Sequence, residues 1–359
     1  MCARGTEMAS EKRIEWIDLV KYVCIIMVML SHLESRTKIW SEFYSPFYLT
    51  AFFFTAGYVY RPRGNFKSFL YRKFRQLFVP WLVFSVLDIL LSQMISFHSH
   101  GDLLEELKWN FLQIRGKGDQ IWFVAALFVA FLPFYFFIQC YEYGKDKKGS
   151  RFRCAIALAA AWLLSLGSLV YATFTPAEIF PWKSAALPWH IEYMFQAMFY
   201  MVFGYLFRHN MEEWFDRHNS LRMRVTSIAI YGVLLVVSCV TDIRANAAVD
   251  IPYQYLVSIV GILTLVSIAK VVRTNPYINF VGQNTLIYFA LHGKVYSVIQ
   301  TLLKKFAADI YTAILENTIA STFFCLLLSL VLSIVLIIPA YLINRYFPFV
   351  VGRKIDKSK

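Results

Sequence analysis

The chain has 359 residues, of which 58% are hydrophobic, 18% aromatic and only 16% charged. Soluble domains carry about 25% charged residues, so this composition excludes an ordinary soluble fold and points to an all-α, polytopic membrane protein. The net charge of +13 does not point to nucleic acid, because the basic residues lie in short loops between apolar runs, as membrane orientation requires.

A β-barrel is excluded by unbroken apolar runs of about 20 residues, where barrel strands would alternate over short segments. Cys2, Cys24, Cys140, Cys154, Cys239 and Cys325 include no CxxC pair and read as small hydrophobes rather than a disulfide framework or zinc site. Residues 1–7 add nothing interpretable, and Met8 is an alternative start.

Ten spans are expected: 16–34, 43–60, 77–97, 120–139, 154–174, 188–207, 225–241, 252–271, 277–300 and 318–344. Each is long enough for a hydrocarbon core of about 30 Å at roughly 1.5 Å per residue. With the N-terminus inside, cytoplasmic segments hold 25 of the 36 Lys and Arg and the opposite side holds 9, Lys21 and Lys294 lying within spans. This bias predicts both termini in the cytoplasm. Three parts follow: a cytoplasmic segment 1–15, one transmembrane domain 16–344 and a basic cytoplasmic tail 345–359.

The first span is DLVKYVCIIMVMLSH at its heart. Lys21 interrupts the apolar run and no small-residue cleavage pattern follows His32, so it reads as an uncleaved span and not a signal peptide. Eleven residues separate Lys21 from His32, which is about three turns or roughly 16 Å, so both share one face. Asp18 lies one turn before Lys21, where an i,i+3 pair can form. Two readings stand: Lys21 snorkels to the interface while His32 ends the helix, or the stripe is functional.

Arg72, Lys73 and Arg75 precede the third span. They suit a positive-inside anchor and equally a phosphate cluster for an anionic cytoplasmic donor. In the sixth span, His190 and Glu192 sit at the outer end, either as interfacial groups or lining a site around His32. The ninth opens with Gly282, Gln283, Asn284 and Thr285, so it reads as broken or re-entrant, with Asn284 or Thr285 starting a helix. His292 then lies about 12 Å along that helix, near the depth of His32. A lone buried histidine is usually structural, but two at matching depth suggest a shared polar cavity.

Together these stretches resemble the acyltransferase family 3 membrane proteins, which O-acylate cell-surface carbohydrates. The family opens with Arg, ten residues, then His. RIEWIDLVKYVCIIMVMLSH resembles it with Lys21 in the arginine position and His32 in the histidine position, as in the fucose 4-O-acetylase-like branch. PFYLTAFFFTAGYVY resembles a second segment, with Tyr48 where His is usual and Ala56 where Ser is usual. YRKFRQLFVPWL, QIWFVAALF (with Trp122) and VGQNTLIYFALH (with Asn284 and His292) resemble three more. The likeness runs along essentially the whole chain.

The resemblance implies a bacterial cytoplasmic-membrane O-acyltransferase that uses acyl-CoA, most simply acetyl-CoA, as co-substrate, with no tightly bound cofactor. The acceptor would be a carbohydrate or lipid-linked glycan, beside polysaccharide-biosynthesis partners. Some relatives carry an extra esterase-like domain; if extracytoplasmic transfer requires one, a separate partner would supply it. Acyl transfer needs a proton acceptor, and histidine, with an unperturbed pKa of about 6.5, suits it. His32 is the candidate base or transient acyl relay. Ser31 is a weaker nucleophile candidate, since it points about 100° away on the same helix. Lys21, Arg72, Lys73 and Arg75 would bind the donor, Asp18 tempering the Lys21 charge. Asp18, Tyr48, Trp122, His190, Glu192, Asn284 and His292 are candidate substrate contacts. The histidines lack the i,i+4 spacing of a metal site. The rival class is a membrane exporter or assembly partner of a surface polysaccharide, against which stands the lack of paired, broken helices in two halves.

Overall fold

A computed structural model describes residues 13–33, 39–95, 103–117, 121–143, 150–241 and 243–353. Residues 1–12, with Cys2 and Met8, and the end of the basic tail, 354–359, lie outside them. The described chain is helical; its sole β feature is an isolated bridge between Ile114 and Lys117.

Among the described residues, seven helices are long and apolar enough to cross a membrane: Phe66–Ser92, Trp122–Tyr143, Arg151–Phe174, Leu221–Val240, Ala247–Ala269, Thr285–Phe306 and Thr318–Tyr346. The other three expected spans are helical but shorter: Glu15–Ser31, Tyr48–Tyr58 and Met194–Leu206. These three form the centre of the bundle, with Ile25, Phe54 and Met201 fully enclosed. Leu221–Val240 lies at the opposite extreme, with Tyr231 its one buried residue. Its apolar side chains face outward, which suits lipid and not water.

Side-chain caps set many helix starts. Asn65, Asn275 and Asn317 accept hydrogen bonds from the amides of Ser68, Ile278 and Ala320, at 3.0, 2.8 and 2.9 Å, filling donors that a helix start leaves open. Where the chain must bend, the expected spans divide. The second is two helices, Ile39–Tyr44 and Tyr48–Tyr58, parted at Pro46. The third reaches back to Phe66 through a π turn at Phe74–Phe78. The tenth changes direction at Leu336.

Small residues bring the central helices together. A Cβ on Gly57 would lie 1.9 Å from Met201 O, and one on Gly204 would lie 2.0 Å from Phe54 O. Two backbones therefore touch where any side chain would hold them apart, the usual basis of close helix contact within lipid. At one end of this pair, Lys270 Nζ reaches Glu212 Oε1 at 2.5 Å and Asp216 Oδ1 at 2.8 Å, and Tyr58 OH donates to Glu212 at 2.7 Å.

Candidate active site

The first helix carries its charges at its N-terminal end. Asp18, 2% exposed, faces Lys21 Nζ at 3.1 Å and Arg13 Nε at 2.5 Å. The i,i+3 pair therefore forms, and Arg13 joins it from outside the helix. Such charge-assisted contacts are what lets a carboxylate stay buried. The helix Pro276–Gln283 packs so closely here that a Cβ on Gly282 would lie 2.2 Å from Asp18 O.

Lys21 also opens onto an apolar slot of about 220 Å³. Ile17, Lys21 and Ile25, four residues apart and so on one face, form one wall. Phe52, Ala56, Val59, Phe123, Leu127, Thr285 and Phe289 complete most of the rest. The slot is lined almost wholly by apolar side chains, with Lys21 its one charged residue.

At the other end of the first helix, the His32 ring stands 4.8 Å from that of His292, the planes inclined by 55°. The Thr285–Phe306 helix delivers His292 from the opposite side, and His292 is 7% exposed. His292 Nδ1 lies 2.8 Å from Phe289 O. A carbonyl only accepts, so Nδ1 carries the hydrogen and Nε2 remains an acceptor. Phe289 lines the slot and its ring is 6.1 Å from His292, so the histidine pair abuts the slot wall. Ser31 Oγ donates to Val28 O at 2.7 Å, within its own helix.

A larger cavity of about 720 Å³ takes in His190, Trp122, Arg115, Gln196 and Asp250, with Tyr193, Tyr200, Tyr253 and Tyr255. Its lining includes neither His32 nor His292. Leu49 lines both this cavity and the slot, so the two adjoin there. The turn Pro188–Tyr193 builds its rim. Trp189 and His190 have φ of 59° and 55°, a left-handed conformation that non-glycine residues adopt at a cost. The twist turns Trp189 against Trp81, with centroids 4.5 Å apart, and sets His190 5.3 Å from the Trp122 ring. Glu192 is buried at 4% exposure and accepts from the Leu187 amide at 2.9 Å, so it secures this turn. Arg115 Nη1 bonds the Tyr193 hydroxyl.

The three cations before the third span point apart. Arg72 donates to Arg63 O at 2.6 Å, Lys73 Nζ sits 3.6 Å above the Phe131 ring, and Arg75 donates to Gly352 O at 3.2 Å. None lines the slot, although Leu77 of the same run does. Asn284 stands where the ninth segment breaks, and its side chain bonds Phe280 O at 2.7 Å instead of capping the next helix.

Arg13, Arg115 and Asp250 enter these places without having stood out in the sequence. Asp250 had one available signal, an acid at the head of an apolar helix. The other two lie in turns and ends, where no helical period predicts neighbours. Lys294, visible as a lysine within a span, pairs with Asp88 Oδ1 at 3.1 Å.

A family model described as an acyltransferase domain matches residues 14–338. Comparison with curated proteins and with solved structures yields no match.

Proposed function

The chain belongs to this acyltransferase family, and from that premise we propose that it is a membrane O-acyltransferase, acyl-CoA its donor and a surface or exported polysaccharide hydroxyl its acceptor. Acetyl is the simplest acyl group for the slot. In this reading the excess of Lys and Arg on one side sets the Lys21 end in the cytoplasm. All ten helical segments then cross or line the membrane, and the outer cavity faces the glycan.

The observation that carries the proposal is the histidine pair beside an apolar slot that Lys21 also lines. The slot would take the pantetheine arm. Lys21 meets the polar part of the donor, and the thioester arrives near Phe289 and His32. His32 takes the proton of the acceptor hydroxyl as that oxygen attacks the thioester carbon. The tetrahedral intermediate collapses with cleavage of the carbon–sulfur bond. The thiolate recovers the proton from the His32 imidazolium, leaving an ester and CoA. His292, with Nδ1 held by Phe289 O, orients its neighbour.

The 720 Å³ cavity suits the acceptor. Tyrosine and tryptophan faces pack against the C–H faces of a sugar ring, while Asp250, Gln196 and Arg115 match its hydroxyls. The experiment is mass spectrometry of surface glycans from cells carrying the parent chain or His32→Ala, with the protein quantified in membranes. Loss of the acyl mass at unchanged protein level is the expected result. Full acylation by His32→Ala would overturn the assignment. Loss of the whole polymer on deleting the protein would favour export or assembly.

A further inference from the structure

Beyond residue 338, where the family match stops, the chain does not trail away. After the Ile337–Tyr346 helix it makes a 3-10 turn, Pro348–Val351, with Val350 buried. The turn packs on the π turn at Phe74–Phe78. Gly352 makes this contact possible. Its φ is +70°, and a Cβ there would lie 2.4 Å from Arg75 O. Only glycine meets both demands. The Arg353 amide then donates to Pro348 O at 3.0 Å, closing the turn.

The turn sets the exposed Arg353 against two asparagines. Its guanidinium donates to Asn344 Oδ1 at 2.6 Å and to Asn284 Oδ1 at 3.3 Å. Asn284 is followed directly by Thr285, which lines the slot together with Lys21. Arg353 thus lies near Lys21, close enough to act on its charge, though outside the lining of the slot. Arg75 lies on the other side of Gly352, donating to its carbonyl at 3.2 Å. Partial burial and, next, the charge of Arg13 push the Arg353 guanidinium below its ordinary value. Arg13 and Lys21 already share Asp18. Arg353 is thus a third cation near the Arg13–Asp18–Lys21 group, where an added anion would offset positive charge.

We propose that the C-terminal turn is part of the donor site and that Arg353 binds a phosphate of acyl-CoA near Lys21. This rests on acyl-CoA being the donor. The tail completes a pocket whose other wall is the first helix, and its two asparagine contacts hold the guanidinium in place before the donor arrives. Fork-shaped donation by arginine suits a phosphate better than the point charge of lysine does.

The test uses the full chain in lipid nanodiscs, with CoA as the probe. Its dissociation constant is measured by calorimetry at two salt concentrations, and the melting temperature is followed alongside. R353A is expected to weaken CoA about tenfold or more, the scale of a lost charge-assisted contact. Its affinity should also depend less on salt, with melting unchanged. Arg353→Lys should retain part of the affinity. An R353A variant that binds CoA like the parent would overturn the proposal. So would a loss of affinity matched by a fall in melting temperature, which makes Arg353 a structural clasp. A parent chain that does not bind CoA overturns the donor reading itself, a separate and recognisable failure.

Discussion

His32 and His292 come from helices far apart in the chain, and their rings meet at 4.8 Å. If His292 acts by orienting His32, the two belong to one unit and their losses should not add. His292→Asn keeps a donor for Phe289 O and removes the Nε2 acceptor. It should lower acyl transfer by roughly 10- to 100-fold, less than the roughly 10²- to 10⁴-fold of a lost general base. The double variant with His32→Ala should be no slower than His32→Ala alone. Additive losses in a membrane transfer assay would place His292 outside the unit. Trp122 lines the larger cavity, which the proposal gives to the acceptor. Trp122→Ala should raise KM for the glycan about tenfold and leave KM for the thioester unchanged, on the scale of a lost aromatic contact. A change in thioester KM alone would reassign it. The Lys21–His32 stripe was readable because a helix repeats every 3.6 residues or so. Arg13, Arg115 and Arg353 were not, since pairing across turns follows from packing that no local spacing encodes.

Among the elements, helix positions follow from the apolar runs, while the breaks follow from finer chemistry. Pro46 and the polar quartet Gly282–Thr285 mark two breaks in plain view. Pro188 before the left-handed pair Trp189–His190 and Pro339 three residues after Leu336 mark two more, since proline donates no amide and crowds the carbonyl four residues back. The Tyr48–Tyr58 and Met194–Leu206 pair is the tightest joint, and it separates glycines that matter from those that do not. Gly204→Ala would drive a methyl to 2.0 Å from Phe54 O, whereas a Cβ on Gly232 meets nothing within 4 Å. Gly204→Ala should therefore destabilise the purified protein by about 1–3 kcal/mol or more. Gly232→Ala, in the interior of an exposed helix, should be neutral or stabilise by up to about 1 kcal/mol. Thermal unfolding in one detergent compares the two, and equal shifts would mean that the backbone contact is not made.

At the scale of the molecule, the two compartments give the proposed reaction a direction. Lys21 lines the slot with Arg13 and Arg353 close by, the cavity takes in Trp122, Arg115 and Asp250, and Leu49 lines both. A donor made in the cytoplasm and an acceptor displayed outside would enter from opposite faces and meet within the bundle. The Lys and Arg asymmetry predicts which face is which, because translocation disfavours basic loops. Tyr143, 95% exposed at the end of Trp122–Tyr143, should then be cytoplasmic. Glu178, exposed in the turn Ala177–Ile179, should lie outside. With the native cysteines replaced, Glu178→Cys should react with an impermeant maleimide in intact spheroplasts. Tyr143→Cys should react only after lysis. The opposite pattern would put the Lys21 end outside the cell, beyond the reach of cytoplasmic acyl-CoA. Either pattern leaves the helix packing untouched, so the labelling bears on the direction of transfer alone.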